Sequence, residues 1–455
     1  MFKFPRILYP GISLRLKNGR SIFYTTIYCS ACIGIGGKYG GMGLGAGGGL
    51  GVAILVLGFG LKPSSPSITA MLIIICVISA VSILQAVGGL DYLVRVAERI
   101  LRKKPQAITF VAPILTSVFT LFCGTTYVAF SLYPVIAEVA AEAKVRPERA
   151  LSATVIAASV AVAASPMSAA TAGMLAILHE YAGITLGQIL SIALPSFFMA
   201  AIVTSFSVYK RGKELEDDPE FQRRVAAGEY EFMHTEQKKE YVAAPGARKG
   251  VAIFAIGVVL VLILGSFTEL LPSWDGKRLS TPMVIQMIML TAALLIMIVG
   301  KVPSNKFNSG SVFRAGLMGV VAILGVSWMT ATFFDAYQAE LINVFGNLVN
   351  DAPLLFGFIV FLFSLVIMSP AATVAAIMPL GVTLGIPAPY LIAIFACTCG
   401  DFIIPGANQI GCVAFDRTGT TRIGRFVINH SYIRPGFVMV ISQVVFAYLI
   451  AQVIL

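Results

Sequence analysis

Two apolar stretches, residues 107–143 and 353–385, are each too long to cross a membrane once, and each is broken at its centre by small and polar residues. The first break reads Cys-Gly-Thr-Thr at 123–126 and the second Met-Ser-Pro-Ala at 368–371. A bilayer core about 30 Å thick is crossed by about 20 helical residues, so a much longer stretch with a central break fits a helical hairpin. Opening a helix at that depth frees N–H and C=O groups, which are tolerated only where protein buries them or where they line a wet cavity. One broken segment in each half of a chain points to a binding site near the membrane midplane.

Composition places the chain in the membrane. With 57% hydrophobic residues, 12% charged residues and a mean hydropathy of +0.87, it exceeds what a soluble core needs. The expected fold is all-α and integral to the membrane, with about ten spanning helices plus two re-entrant hairpins in an inverted repeat. The seven cysteines lie mainly in apolar segments without zinc spacing and are read as small packing residues. Three histidines, His179, His234 and His430, are scattered along the chain, so no metal site or cofactor is expected. The net charge of +11 raises the question of nucleic acid, but in a membrane protein the usual source is Lys and Arg in cytoplasmic loops. No nucleic-acid partner is expected; the lipid membrane is one, and a homo-oligomer is left open.

Charge position orients the chain. Treating each broken stretch as a hairpin that returns to its own side puts 25 of the 33 Lys and Arg on one face. They are Lys38 and those within 95–104, 144–149, 210–249, 301–314 and 417–434, whereas only Lys62, Lys277 and Arg278 fall opposite. That asymmetry makes the basic face cytoplasmic. It also opens the first hairpin toward the cytoplasm and the second toward the outside, as an inverted repeat requires. Residues 1–20, with five basic residues on the other side and no cleavage signature, are the exception; they are expected to be a disordered extension, with an upstream start codon left open.

The repeat has sequence support. Ser82 and Asp91 align with Ser327 and Asp335, residues 124–134 align with 369–379 with Pro134 and Pro379 in register, and Ser165 and Pro166 align with Ile404 and Pro405. The expected organisation is a first repeat at 21–209, a solvated cytoplasmic linker at 210–249 and a second repeat at 250–455.

Four runs carry a family resemblance. They are Gln-Ala-Val-Gly-Gly-Leu-Asp at 85–91, Leu-Tyr-Pro-Val-Ile-Ala-Glu at 132–138, Ala-Ser-Pro-Met-Ser-Ala at 164–169, and the long Asp-Arg-Thr-Gly-Thr-Thr-Arg-Ile-Gly-Arg-Phe-Val-Ile-Asn-His at 416–430. From about residue 25 to the C-terminus the chain resembles the anaerobic C4-dicarboxylate transporters of the DcuA/DcuB family, within the ion transporter superfamily. The resemblance implies a bacterial inner-membrane carrier of fumarate, succinate, malate or aspartate, working by exchange or cation-coupled uptake. It also implies paired hairpins in an inverted repeat. The chain departs from the family pattern at the breaks: 124–126 are Gly-Thr-Thr rather than Gly-Thr-Gly, 369–370 are Ser-Pro rather than Ser-Gln, and 404–408 are Ile-Pro-Gly-Ala-Asn rather than Leu-Pro-Thr-Tyr-Pro. A carrier of another anion, or an ion exchanger on the same fold, is the alternative.

A dicarboxylate inside a membrane needs hydrogen-bond donors and positive potential, which half-helix N-termini supply with free N–H groups and about half a unit charge each. Gly124, Thr125 and Thr126 at the first tip, and Ser369, Ala371 and Thr373 at the second, are the expected ligands, with Ser165, Ser168, Pro405 and Asn408 completing the pocket. The structural alternative is that these residues merely satisfy kinked helices and allow close packing. Asp401, an ionisable residue within a predicted span, is a site for a coupling proton or cation, or else a partner for freed amides. Asp91 and Asp335 read as solvated helix ends, and Arg417, Arg422 and Arg425 as a topology anchor or a field drawing dianions inward. No zinc-protease or nucleophile-elbow motif and no phosphate-binding loop occurs, so neither an enzyme nor an ATP-driven pump is expected.

Overall fold

The computed structural model describes residues 18–66, 68–228, 244–275, 277–303, 306, 310–405, 407–423 and 429–455. The expectations for residues 1–17, for 229–243 of the linker with His234, and for Gly406 and Arg425 therefore lie outside the described residues. The first half runs α1 (Asn18–Lys38), α2 (Gly40–Ala53), α3 (Ile68–Ala86), α4 (Gly89–Lys103), α5 (Ile108–Cys123), α6 (Tyr127–Phe130), α7 (Tyr133–Glu142), α8 (Pro147–Ala161), α9 (Ala169–Ala182) and α10 (Leu186–Val208). After a short α11 (Pro219–Ala226) come α12 (Ala247–Ser266), α13 (Thr281–Gly300), α14 (Ser311–Asp351), α15 (Leu355–Ile367), α16 (Pro370–Thr383), α17 (Ala388–Ala393), α18 (Ala407–Phe415) and α19 (Ile433–Ile454). The described strands form one small antiparallel pair, Ser273–Trp274 with Lys277–Arg278. The chain is all-α, and eight of its described helices are long and apolar enough to cross a membrane.

Small residues let the outer helices approach closely. A methyl group at Gly45 or Gly48 of α2 would strike Val321 or Gly325 of α14, and one at Gly43 or Gly47 would strike α1 at the backbone oxygens of Gly36 and Cys32. Backbone thus meets backbone on two sides of α2, the usual device for helix association where lipid offers no hydrophobic drive. At the centre, 94% of the residues in an apolar 18-residue stretch of the α8–α9 segment Pro147–Ala182 are buried, against 33% in the corresponding stretches of α12 and of α13. Its run of Ala, Ser and Thr lets neighbours close in from all sides.

Both interruptions fall where the sequence places them. A 3-10 turn, Val162–Ala164, ends α8 before Ser165, and a longer one, Ile394–Cys399, precedes the turn at 401–405. The two broken stretches are built alike. Helix α5 ends at Gly124 (φ 69) and α15 at Met368 (φ 51), each in the left-handed region that stops a helix. At 1.5 Å per residue α5 is about 24 Å long and α15 about 20 Å, both short of the bilayer core. The ends of the first stretch are tied together: Arg102 bonds Glu138 and Glu142, each at 2.8 Å, and the Gln106 amide donates to the Ala143 carbonyl at 3.0 Å. The second half also holds the 41-residue α14, kinked at Tyr337 (φ −119, ψ 20). Gly88 (φ 78) breaks α3 from the amphipathic α4 near the matching repeat position.

On the basic face three loops lock together. The polar linker is solvated only in part, since residues 210–228 fold back onto the molecule and Leu215 and Phe221 bury against Ala141. Two apolar side chains in a charged run are a weak signal in hydropathy, which hid this docking from the sequence. Buried Arg146 pairs with both Glu148 (2.7 Å) and Asp218 (2.5 Å), and Asp218 in turn caps α11 through the Glu220 and Phe221 amides. Ser431 donates to Glu148 at 2.7 Å, the Glu148 amide donates to Thr420, and Thr420 donates to Asp416 at 2.9 Å. The Asp416 carboxylate also accepts the Thr418 and Thr421 amides, so residues 416–421 fold around one acid.

Arg146→Ala leaves Glu148 and Asp218 as buried carboxylates without a counter-charge, and should lower stability by roughly 3–5 kcal/mol, read as a drop in thermal unfolding temperature with faster proteolysis near residue 215. Burial raises the Asp218 carboxyl, but the Arg146 pair and the Phe221 amide outweigh it and hold it below the ordinary carboxylate range. Its contribution is therefore complete above the unfolded pKa of about 3.9 and lost as pH falls through the lower folded value. Proteolysis of 210–228 should stay slow at mildly acidic pH and accelerate only below that range.

Candidate functional site

The two breaks meet in one cavity of about 450 Å³, within the roughly 300–1,000 Å³ typical of small-molecule sites. Its polar wall is Gly124, Thr125 and Thr126 from the first tip, Ser369, Pro370 and Ala371 from the second, Ser159 of α8, and Asp401, Asn408 and Gln409 from the second interruption. Apolar residues of α3 and α14, among them Val77, Ile78, Val81 and Ala322, close the remainder. The two halves of the chain touch across it: the Asn408 amide donates to Thr126 Oγ1 at 3.1 Å.

Gly124 is dictated twice over. Its φ of 69 suits glycine, and a methyl group there would strike the Met167 carbonyl of the first interruption. Ser369, at the N-cap of α16, accepts the Ala372 amide through its side chain, while its carbonyl takes the Thr373 amide. Pro370 at the first helical position lacks an N–H, and Ala371, whose amide has no partner within the helix, lines the cavity. The tips are unequal in this respect. Helix α16 presents a 14-residue N-terminus, whereas the chain after Thr126 makes the single turn α6 before α7 begins.

Four expected ligands do not line the cavity. Ser165 is fully buried and donates to the Leu121 carbonyl at 2.6 Å, holding the first interruption against α5. Ser168 caps α9 by accepting the Thr171 amide and donates to the Val162 carbonyl at 2.6 Å. Thr373 turns back to the Ser369 carbonyl at 2.9 Å, and Pro405 stands outside the wall. Each of these hydroxyls bonds a nearby backbone carbonyl, because an unsatisfied polar group at membrane depth costs several kcal/mol.

Gln409 and Ser159 are wall residues that the sequence reading missed. The signal for Gln409 was present, as a second amide beside Asn408 at membrane depth; Ser159 is indistinguishable from its small neighbours. Asp401 is the one carboxylate in the wall, and among the described residues no Lys, Arg or His lines it. Gln409 shares the wall with this carboxylate, and Asp401 Oδ1 is buried with no hydrogen-bond partner among the described residues. Three or more His, Cys, Asp or Glu positioned for a metal do not occur among the described residues.

The profile of the anaerobic C4-dicarboxylate membrane transporters matches residues 22–455. The chain belongs to that family. It is 36% identical over 436 residues to the anaerobic C4-dicarboxylate transporter DcuB of Escherichia coli O6:H1, covering 92% of this chain and 96% of that one. It is 37% identical over 431 residues to the C4-dicarboxylate transporter DcuA of Wolinella succinogenes, covering 93% and 98% respectively. Against the C4-dicarboxylate transporter DcuA of Escherichia coli K12 identity is 36% over 401 residues. Membership in a membrane transporter family agrees with the absence of enzyme motifs and with the long apolar helices.

If the Thr126–Asn408 bond couples the repeats, Thr126→Val and Asn408→Ala should each destabilise by about 1 kcal/mol, and the double variant by less than the sum. Thermal unfolding of the four proteins measures the coupling. Gly124→Ala should be worse than either, since it adds both a strained φ and a clash.

Proposed function

We propose that the chain carries C4-dicarboxylates across the bacterial inner membrane by alternating access, with one carboxylate at the 124–126 tip and the other at the 369–371 tip. The observation that carries this reading is the single cavity in which both tips and the second interruption meet. A four-carbon diacid has a carboxylate at each end, and the cavity offers donor groups from opposite repeats. Thr125, Thr126 and Asn408 would serve one end; Ser369 and the Ala371 amide, at the positive end of α16, would serve the other. Ser165, Ser168 and Thr373 support the site from behind, holding the breaks open.

In this reading 107–143 and 353–385 are re-entrant hairpins entering from opposite faces. The Arg102 pairs with Glu138 and Glu142 support it for the first, and the packing of Gly381 against Phe356 supports it for the second. Ten spans then remain: α1, α2, α3, α8–α9, α10, α12, α13, α14, α17–α18 and α19. Repeats at 21–209 and 250–455 follow, joined by a linker on the cytoplasmic face. The contacts that Thr420 and Ser431 make with 144–149 and 210–228, and that Arg146 makes with Asp218, support placing these loops on one side.

Asp401 is assigned the coupling ion. A dianion beside an ionised aspartate in a cavity without basic residues is strongly repelled, so a proton or monovalent cation on Asp401 would accompany the substrate. Asp401→Asn should abolish the dependence of uptake on an imposed proton or sodium gradient while retaining succinate exchange. Proteoliposome uptake of labelled succinate, fumarate and aspartate tests the whole reading, and no saturable uptake of any of them by folded protein would sink it. Thr125→Val and Ser369→Ala should each weaken apparent affinity several-fold, about 1 kcal/mol; an unchanged KM in both would remove the tips from the site.

A further inference from the structure

Helices α12 and α13 lean on the molecule by one side and expose a broad apolar face through Ile256, Leu260, Met287, Leu294 and Ile298. Two hollows lie on this pair. At the basic face, where α12 and α13 meet the end of α3, a cavity of about 850 Å³ is lined by Arg248, Lys249, Lys301 and Lys306, with no acidic residue in its walls among the described residues. Its floor is Val87, Gly246 and Gly300, where a methyl group on Gly246 would lie 2.9 Å from the Gly300 backbone. Arg248 is positioned over the Tyr92 ring at 5.6 Å, a cation–π contact that restrains its guanidinium.

Deeper along the same two helices runs an apolar groove of about 250 Å³, formed by residues including Ile253, Ile256, Leu260, Met287, Thr291 and Leu295. At 1.5 Å per residue, Lys249 stands about 6 Å above Ile253 and about 17 Å above Leu260. The groove therefore continues the basic cavity to about half the depth of the hydrocarbon core.

We propose that this crevice binds an anionic phospholipid of the inner leaflet, its phosphate among the four basic side chains and an acyl chain in the groove. Each hollow alone admits other occupants. A free phosphate has no use for the groove, and a second copy docking through the same face brings its own four cations against these. Only a molecule with an anionic head and an apolar tail fits both, and basic pockets between helices at the cytoplasmic level suit acidic headgroups.

Native mass spectrometry of the detergent-purified full chain, supplied with phosphatidylglycerol or phosphatidylcholine, tests the proposal. The wild type should retain phosphatidylglycerol selectively, and Lys249→Gln with Lys301→Gln should reduce that retention by about tenfold or more. Thr291→Trp, which fills the exposed groove without entering the α12–α13 contact, should weaken lipid retention while leaving binding of glycerol 3-phosphate unchanged. Equal retention of both lipids, or retention unaltered in both variants, overturns the proposal. Displacement of the lipid by inorganic phosphate at equal concentration assigns the pocket to free phosphate instead, and dimers that dissociate in Thr291→Trp assign the face to a second copy. Helical circular dichroism of each variant verifies that it is folded, and the Thr291→Trp arm stands should the charge variant fail to fold.

Discussion

A backbone amide or carbonyl at membrane depth must find a partner inside the protein, and this structure is organised around four places where helices are deliberately broken there. The breaks satisfy one another. Ser165 reaches the Leu121 carbonyl just before the first tip, Ser168 returns to Val162, and Gly400 of the second interruption donates to Ser364 on the arm leading to the second tip. Glycine at 124 brings the first tip against the Met167 carbonyl, and Asn408 ties that tip to the other repeat. What is left over, a few hydroxyls, two amide side chains and an exposed helix N-terminus, faces the cavity.

The same constraint sorts the charges. A buried lysine or arginine in the wall would bind a dicarboxylate strongly but would be costly in the empty carrier. The described cavity holds Asp401 and no basic residue. The basic residues gather instead on one face, and there they do two different things. Arg146 and Arg149 pair internally, pinning the linker to the start of α8, whereas Arg248, Lys249, Lys301 and Lys306 line a crevice whose described walls hold no acid.

Much of this was legible in the chain. The length anomalies with their small-residue breaks announced the tips, the loop charges announced which segments share a face, and the run at 416–430 announced the family. Particular residue roles were not. Ser165, Ser168 and Thr373 carry the same hydroxyl chemistry as Thr125 and Ser369, and composition cannot say which hydroxyl turns to a carbonyl and which to a cavity. The docking of 210–228 was hidden because Leu215 and Phe221 are two apolar residues within a charged segment, and Gln409 was passed over for its neighbour Asn408.

The sequence by itself determined an all-α membrane protein with two broken segments, because hydrophobic length and the cost of unpaired backbone are local properties of the chain. It determined the basic face too, since positive charge in loops is read without knowing their contacts. Only the tertiary structure decided which polar groups are satisfied and which are left to a ligand. That choice depends on what stands within 3 Å in three dimensions, and the partners concerned, such as Thr126 and Asn408, lie 282 residues apart.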